Sequence, residues 1–204
     1  MRATLLALLF ALPLLATGQP EKPRVKFTTN LGSFTLELES KAAPKTVANF
    51  LSYVRKGYYK GTTFHRVIST FMIQGGGFTA DLKKKAGDQP IMNEAKAAMA
   101  AGLRNTRGTI AMARTNEPHS ASSQFFINVK DNSQSLDPRA ESWGYCVFGN
   151  VVEGMDTVDK IKAVPTHNVQ MNDVPVTPVL ITDAQELTEA PAKKAPAKAG
   201  SKKK

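Results

Sequence analysis

The sequence predicts a mainly β fold: a closed eight-stranded antiparallel β-barrel with two flanking α-helices. Three observations carry this expectation. Eight short segments have the composition or alternation of strands, whereas only two have a helical period. Connections such as Gly102–Gly108 are short and rich in Gly and Asn, which favours antiparallel pairing over βαβ crossovers. An open sheet of so many short strands would leave two exposed edges, and closure removes them.

Arg24–Thr29 and Ser33–Leu38 alternate apolar with polar side chains and are joined through Asn30-Leu31-Gly32, the pattern of a β-hairpin. Ala43–Lys56 carries Pro44 in its first turn, Val47, Phe50, Leu51 and Val54 at helical spacing, and Gly57 just past its end. That is an amphipathic helix with its own start and stop signals. Thr63–Ile68, Phe71–Gln74, Thr109–Arg114, Gln124–Val129, Tyr145–Val151 and Val179–Ala184 supply the remaining strands, and Met155–Ala163 a second, short helix.

The 204 residues carry 27 Lys+Arg against 17 Asp+Glu, a formal net charge of +10, with 42% hydrophobic residues and one cysteine. This composition excludes a wholly disordered chain, and no apolar run approaches the ~18 residues that span a bilayer as a helix. Cys146 alone makes neither an intramolecular disulfide nor a cysteine-rich metal site. The charge is unevenly placed. After Met1-Arg2, an apolar run from Leu5 to Leu15 is followed by Ala16-Thr17-Gly18, which reads as a secretory signal peptide over residues 1–18 with cleavage after Gly18. A buried N-terminal helix fits less well, because the run has no polar face and is broken at Pro13. Residues 190–204 contain only Ala, Pro, Lys, Gly and Ser, six of them Lys, and are expected to form a disordered tail. The folded domain is then expected over residues 19–189.

Common nucleophile and cofactor patterns are missing from the sequence: there is no Gly-x-Ser-x-Gly elbow, no phosphate-binding loop and no His-Glu-x-x-His. Gly75-Gly76-Gly77 opens no helix and so fits a bend or close packing better than a dinucleotide site. His65, His119 and His167 are widely separated, without carboxylates at ligand spacing, so neither metal nor cofactor is expected.

What stands out is the aromatic, Met, Gln and Arg content of Phe64-His65-Arg66-Val67-Ile68-Ser69-Thr70-Phe71-Met72-Ile73-Gln74-Gly75-Gly76-Gly77-Phe78 and of Ser122-Ser123-Gln124-Phe125-Phe126-Ile127-Asn128. With Ala111-Met112-Ala113-Arg114 and Val147-Phe148-Gly149 in the same order, these segments resemble the cyclophilin family of peptidyl-prolyl cis/trans isomerases. The resemblance runs from Val25 to about Ile181, is strongest to exported bacterial members, and implies a cyclophilin-like barrel.

The reaction this implies needs no covalent intermediate. Resonance gives the peptide C–N bond a rotational barrier of ~18–20 kcal/mol, and X–Pro bonds isomerise over tens to hundreds of seconds, slowly enough to limit folding. A catalyst must favour the twisted state, in which the prolyl nitrogen becomes pyramidal and gains a lone pair. A fixed cationic donor aimed at that nitrogen does so, and the resemblance gives this catalytic role to Arg66. It also implies that Phe71, Met72, Phe126 and Leu136 line a socket for the proline ring. Gln74 and Gln124 would bond the substrate backbone or orient Arg66, and Ala113 and Arg114 would pair with an extended peptide. Strand alternation turns Phe125 into the core, and His65 to the face opposite Arg66.

Two departures from the best-known eukaryotic pattern stand out. Where those cyclophilins carry Trp before Leu-Asp, this chain has Ser133-Gln134-Ser135-Leu136-Asp137, and where they carry His ahead of Val-Phe-Gly it has Tyr145. Tyr145 still supplies an aromatic wall and a hydroxyl, but the missing indole predicts weak binding of cyclosporin. Trp143 is expected to cover the barrel rather than replace the lost ring.

The expected protein is thus an exported, periplasmic or secreted, monomeric isomerase acting on unfolded or flexible proline-containing polypeptides, as a folding catalyst or chaperone. It is not a dedicated nucleic-acid binder, although its tail offers anionic surfaces a weak contact. One alternative is a proline-recognising chaperone or adaptor with little catalysis, which needs the same socket. A second is a surface-tethering or nucleic-acid-binding protein acting through the tail.

Overall fold

The computed structural model describes residues 22–187. The expected signal peptide and Lys-rich tail lie outside the described residues. Within them the order of elements is β1 (Arg24–Thr29), β2 (Gly32–Leu38), α1 (Pro44–Arg55), β3 (Arg66–Ile68), β4 (Met72–Gly75), α2 (Ala95–Ala100), β5 (Thr109–Met112), β6 (Phe125–Asn128), α3 (Ser133–Leu136), β7 (Val147–Glu153), α4 (Met155–Lys162), β8 (Thr166–Val169), β9 (Met171–Pro175) and β10 (Ile181–Leu187).

Eight strands form one curled antiparallel sheet in the order β10-β1-β2-β7-β5-β6-β4-β3, and each corresponds to a segment expected to be a strand. The two edges meet without a full ladder. Thr63 bridges Leu180, and backbone bonds from Phe64 N–H to Val179 O (3.0 Å) and from Ile181 N–H to Thr62 O (2.8 Å) tie the residues ahead of β3 to those around the start of β10. Closure therefore rests on irregular backbone, which shortens β3 to three residues where six were expected.

The curled sheet encloses an aromatic core. Phe27 and Phe34 face each other across β1 and β2 with ring centroids 5.4 Å apart, and Phe50, Tyr59, Phe64, Phe125 and Phe148 fill the space around them, all fully buried. Helix α1 closes one end with Val47, Phe50, Leu51 and Val54 on its buried side, the set that its periodicity predicts. Its first turn is capped from outside the helix. The Glu94 carboxylate accepts from the backbone N–H of Lys45 (3.2 Å) and Thr46 (2.8 Å), which places a negative charge at the positive end of the helix dipole. Helix α4 buries Thr157, Val158 and Ile161 at the other expected helical position.

Three elements were not expected: the short helices α2 and α3, and a separate two-stranded sheet formed by β8 and β9. Trp143 also departs from expectation. It is 43% exposed, with its ring edge-on to His119 at 4.9 Å and the Lys96 ammonium 4.8 Å from its centroid, so it packs in a surface loop instead of covering the barrel.

Candidate active site

Pleating divides the side chains of the central strands between two faces. Ile73, Ile110, Met112, Phe125, Ile127 and Phe148 enter the barrel core, while Met72, Ala111, Phe126 and Val147 point the other way and join Leu136 in a second, smaller apolar cluster. Register then sets a row across the outer face. Arg66 lies opposite Gln74, Gln74 opposite Phe126, Phe126 opposite Ala111, and Ala111 opposite Val147. A cation, an amide and an aromatic ring thus stand side by side because two ladders hold them there.

The cleft over this row has a volume of about 120 Å³ and is lined by Arg66, Phe71, Met72, Gln74, Ala113, Arg114, Phe126, Leu136 and Tyr145. Nine of the ten expected site residues therefore share one concavity. The tenth, Gln124, lies one step outside, where its side-chain carbonyl accepts from Gln74 Nε2 at 3.0 Å. It is pressed into place from behind: a Cβ at Gly77 would fall 2.4 Å from Gln124 Cγ, so that glycine makes room for the side chain. A bend or close packing is the expected role for the glycine run, and Gly77 fits the second.

The floor of the cleft is buried and apolar, with Met72 and Phe126 at 2% and 4% exposure. Tyr145 meets Phe126 nearly edge-on at 5.6 Å, and the Arg114 guanidinium lies 4.6 Å from the Tyr145 ring. Arg114 is itself anchored, donating from Nε to Gly144 O at 3.0 Å and from Nη1 to Thr115 O at 2.8 Å. Arg66 is different: its side chain is 42% exposed at the rim, with the Asp173 carboxylate 3.6 Å from Nε. The arrangement suits a small apolar ring flanked by polar backbone, with a positive donor above one edge.

Beneath the cleft lies a polar network that the sequence reading missed. Asp137, almost wholly buried, accepts from the Asn105 backbone N–H and Nδ2, both at 2.9 Å, and from Arg104 Nη1 at 3.1 Å. Asn105 Nδ2 also reaches Tyr145 O at 3.2 Å, and Asn132 Nδ2 donates to Phe71 O and to Asn128 Oδ1, each at 2.7 Å. The network thus holds the backbone of two wall residues, Phe71 and Tyr145. Asp137 was visible in sequence as the residue after Leu136. The asparagines offered no signal, because isolated amides are common in surface loops.

His65 faces away from Arg66, as strand alternation requires, and packs on Phe78 at 4.6 Å. Desolvation by burial, aided by the charge of Arg66 and opposed by a hydrogen bond with the Thr63 backbone, lowers its pKa from 6.5 to about 4. It is neutral at neutral pH. Cys146 packs in the core, and burial pushes its thiol up to about 11, so it is protonated at neutral pH.

Comparison with known proteins agrees with this geometry. Residues 24–186 match the family model described as cyclophilin type peptidyl-prolyl cis-trans isomerase. A peptidyl-prolyl cis-trans isomerase of Streptomyces antibioticus is 55% identical over 166 residues, 80% of this chain and 98% of the relative. Peptidyl-prolyl cis-trans isomerase B of Escherichia coli is 55% identical over 161 residues, covering 77% of this chain and 95% of that protein. Among solved structures, a cyclophilin type isomerase of Cryptosporidium parvum superposes with a TM-score of 0.63 at 27% identity, over 83% of this chain and 99% of its own. Another crystal structure of that isomerase, determined in the presence of the dipeptide Ala-Pro, gives 0.61 at 28% identity. Family model, near full-length relatives and curled sheet agree: the chain belongs to the cyclophilin-type peptidyl-prolyl cis-trans isomerases.

Proposed function

We propose that this isomerase is exported through its N-terminal signal peptide and accelerates the folding of other exported proteins in the periplasm or outside the cell. Its substrates are extended, accessible X–Pro segments of unfolded or flexible chains. The observation that carries the mechanistic reading is Arg66 at the rim of an apolar cleft floored by Met72 and Phe126. The related isomerase crystallised in the presence of Ala-Pro supports a proline-containing ligand of this kind.

In the proposed reaction the proline ring seats against Phe71, Met72, Phe126 and Leu136, with Tyr145 as the side wall. Gln74, Gln124, Ala113 and Arg114 hold the backbone on either side. The carbonyl before proline turns while the ring stays fixed, and the prolyl nitrogen loses its resonance. Arg66 then donates a hydrogen bond to the lone pair that appears only in the twisted state, so its contribution falls on kcat. No bond is made or broken.

Arg66→Ala is expected to slow isomerisation of a short prolyl peptide about 10²–10³-fold, the usual cost of losing a preorganised charge-stabilising donor. Peptide binding, carried by the apolar socket, should change little. A protease-coupled or NMR exchange assay measures the first quantity and a chemical-shift titration the second. Undiminished turnover in the variant would remove this mechanism.

A further inference from the structure

We propose that Asp173, on the β8–β9 hairpin, is a positioning residue for Arg66. The proposal rests on the catalytic reading of Arg66 given above. Among the described residues, Asp173 is the sole ion-pair partner of that arginine, its Oδ2 lying 3.6 Å from Nε. This contact falls on the inner nitrogen of the guanidinium and leaves both Nη groups for a ligand. Arginine is otherwise a long, freely rotating side chain, here 42% exposed, and holding it in one geometry costs conformational entropy that a fixed counter-charge offsets.

The hairpin is built to bring that carboxylate to the site. β9 packs against β3, the strand that carries Arg66, and buries Val174 and Pro175 while Asp173 stays partly exposed beside the arginine. A bulge between His167 and Val169 breaks the β8–β9 register. Asp173 itself adopts the left-handed region with φ +60°, a conformation that costs a non-glycine residue energy, and its N–H is tied to Asn168 Oδ1 at 3.1 Å. At the hairpin base the Val176 N–H donates to Pro165 O at 2.9 Å. The 106 residues separating Asp173 from Arg66 in sequence are thus bridged by a small module outside the eight-stranded sheet.

Asp173→Asn tests the charge alone, because Asn suits the left-handed backbone at least as well as Asp. With an uncharged blocked prolyl peptide, we expect kcat to fall about 3–5-fold, the range of a half-exposed ion pair, with KM changed less than twofold. The wild-type kcat should fall towards that of the variant as KCl rises to about 0.5 M, which screens the pair, while the variant stays flat. The wild-type salt titration stands even if the variant folds poorly. In an Arg66→Ala background, Asp173→Asn should add nothing. A kcat in Asp173→Asn equal to or above wild type, a salt-insensitive wild type, or an equal loss in the Arg66→Ala background would overturn the proposal. Failure of the Arg66 mechanism itself would show separately, as undiminished turnover in Arg66→Ala with Asp173 intact.

Discussion

His65 and Arg66 are adjacent in the chain and face opposite sides of the sheet, and their environments set opposite demands. Arg66 needs water and substrate at the rim. His65 is 3% exposed, its Nδ1 has no hydrogen-bond partner, and burial holds its pKa at about 4. Between pH 6.5 and 4 the unfolded chain binds a proton at this residue that the folded chain refuses. Stability is therefore fully present above pH 6.5, declines as pH falls through that window, and loses about 3 kcal/mol from this source by pH 4. His65→Phe keeps the ring contact with Phe78 and removes the titration. Urea unfolding at pH 7 and pH 4.5 should show the wild type losing about 2 kcal/mol more than the variant across that interval. An equal loss in both proteins would mean that His65 takes up its proton in the folded state at the same pH as in the unfolded chain.

At the scale of elements, legibility follows from how much of an element's burial is local. β4, β5, β6 and β7 were readable as short runs rich in apolar and aromatic residues, because one face is buried in the core and the other in the smaller apolar cluster. The cleft was readable because Arg66, Phe71, Met72 and Gln74 fall within one contiguous motif on β3, β4 and their turn. β8 has every residue exposed and so leaves no hydrophobic period, which is why the hairpin and Asp173 went unseen. Helix α3 has four residues, too few to show a helical period, yet it delivers Leu136 to the socket. It also carries Ser135 where the eukaryotic pattern has Trp, and Trp143 does not line the cleft in compensation. An indole of that kind contributes about 2 kcal/mol or more to a tight complex, some 30-fold in affinity. Cyclosporin should accordingly bind weakly while prolyl peptides still turn over. Titration calorimetry is the check, and a nanomolar complex would show that Tyr145 and Phe126 provide enough surface without the indole.

For the whole molecule, the +10 net charge belongs to the ends of the chain more than to the barrel. Residues 190–204 hold six lysines and Arg2 lies in the proposed signal peptide, so residues 19–189 keep 27 − 7 = 20 basic against 17 acidic side chains, or +3. Much of that remaining charge is paired within the fold, as in Arg24–Glu37, Arg55–Glu186 and Arg107–Asp159. The excess on the barrel is thus small, and of the two arginines lining the cleft Arg114 is anchored to Gly144 O and Thr115 O while Arg66 is the proposed donor to the prolyl nitrogen. Adhesion and catalysis should therefore separate cleanly. Deleting residues 190–204 should leave kcat/KM on a short prolyl peptide within twofold of the full chain, because the residues lining the cleft lie between Arg66 and Tyr145. The same deletion should weaken retention on vesicles rich in anionic lipid, since each lysine near such a surface contributes about 1 kcal/mol and the attraction is screened by salt. Cosedimentation at low and high KCl measures this. Equal retention of both forms would assign the anionic contact to the barrel, and a loss of peptide turnover on deletion would place the tail in the catalytic groove.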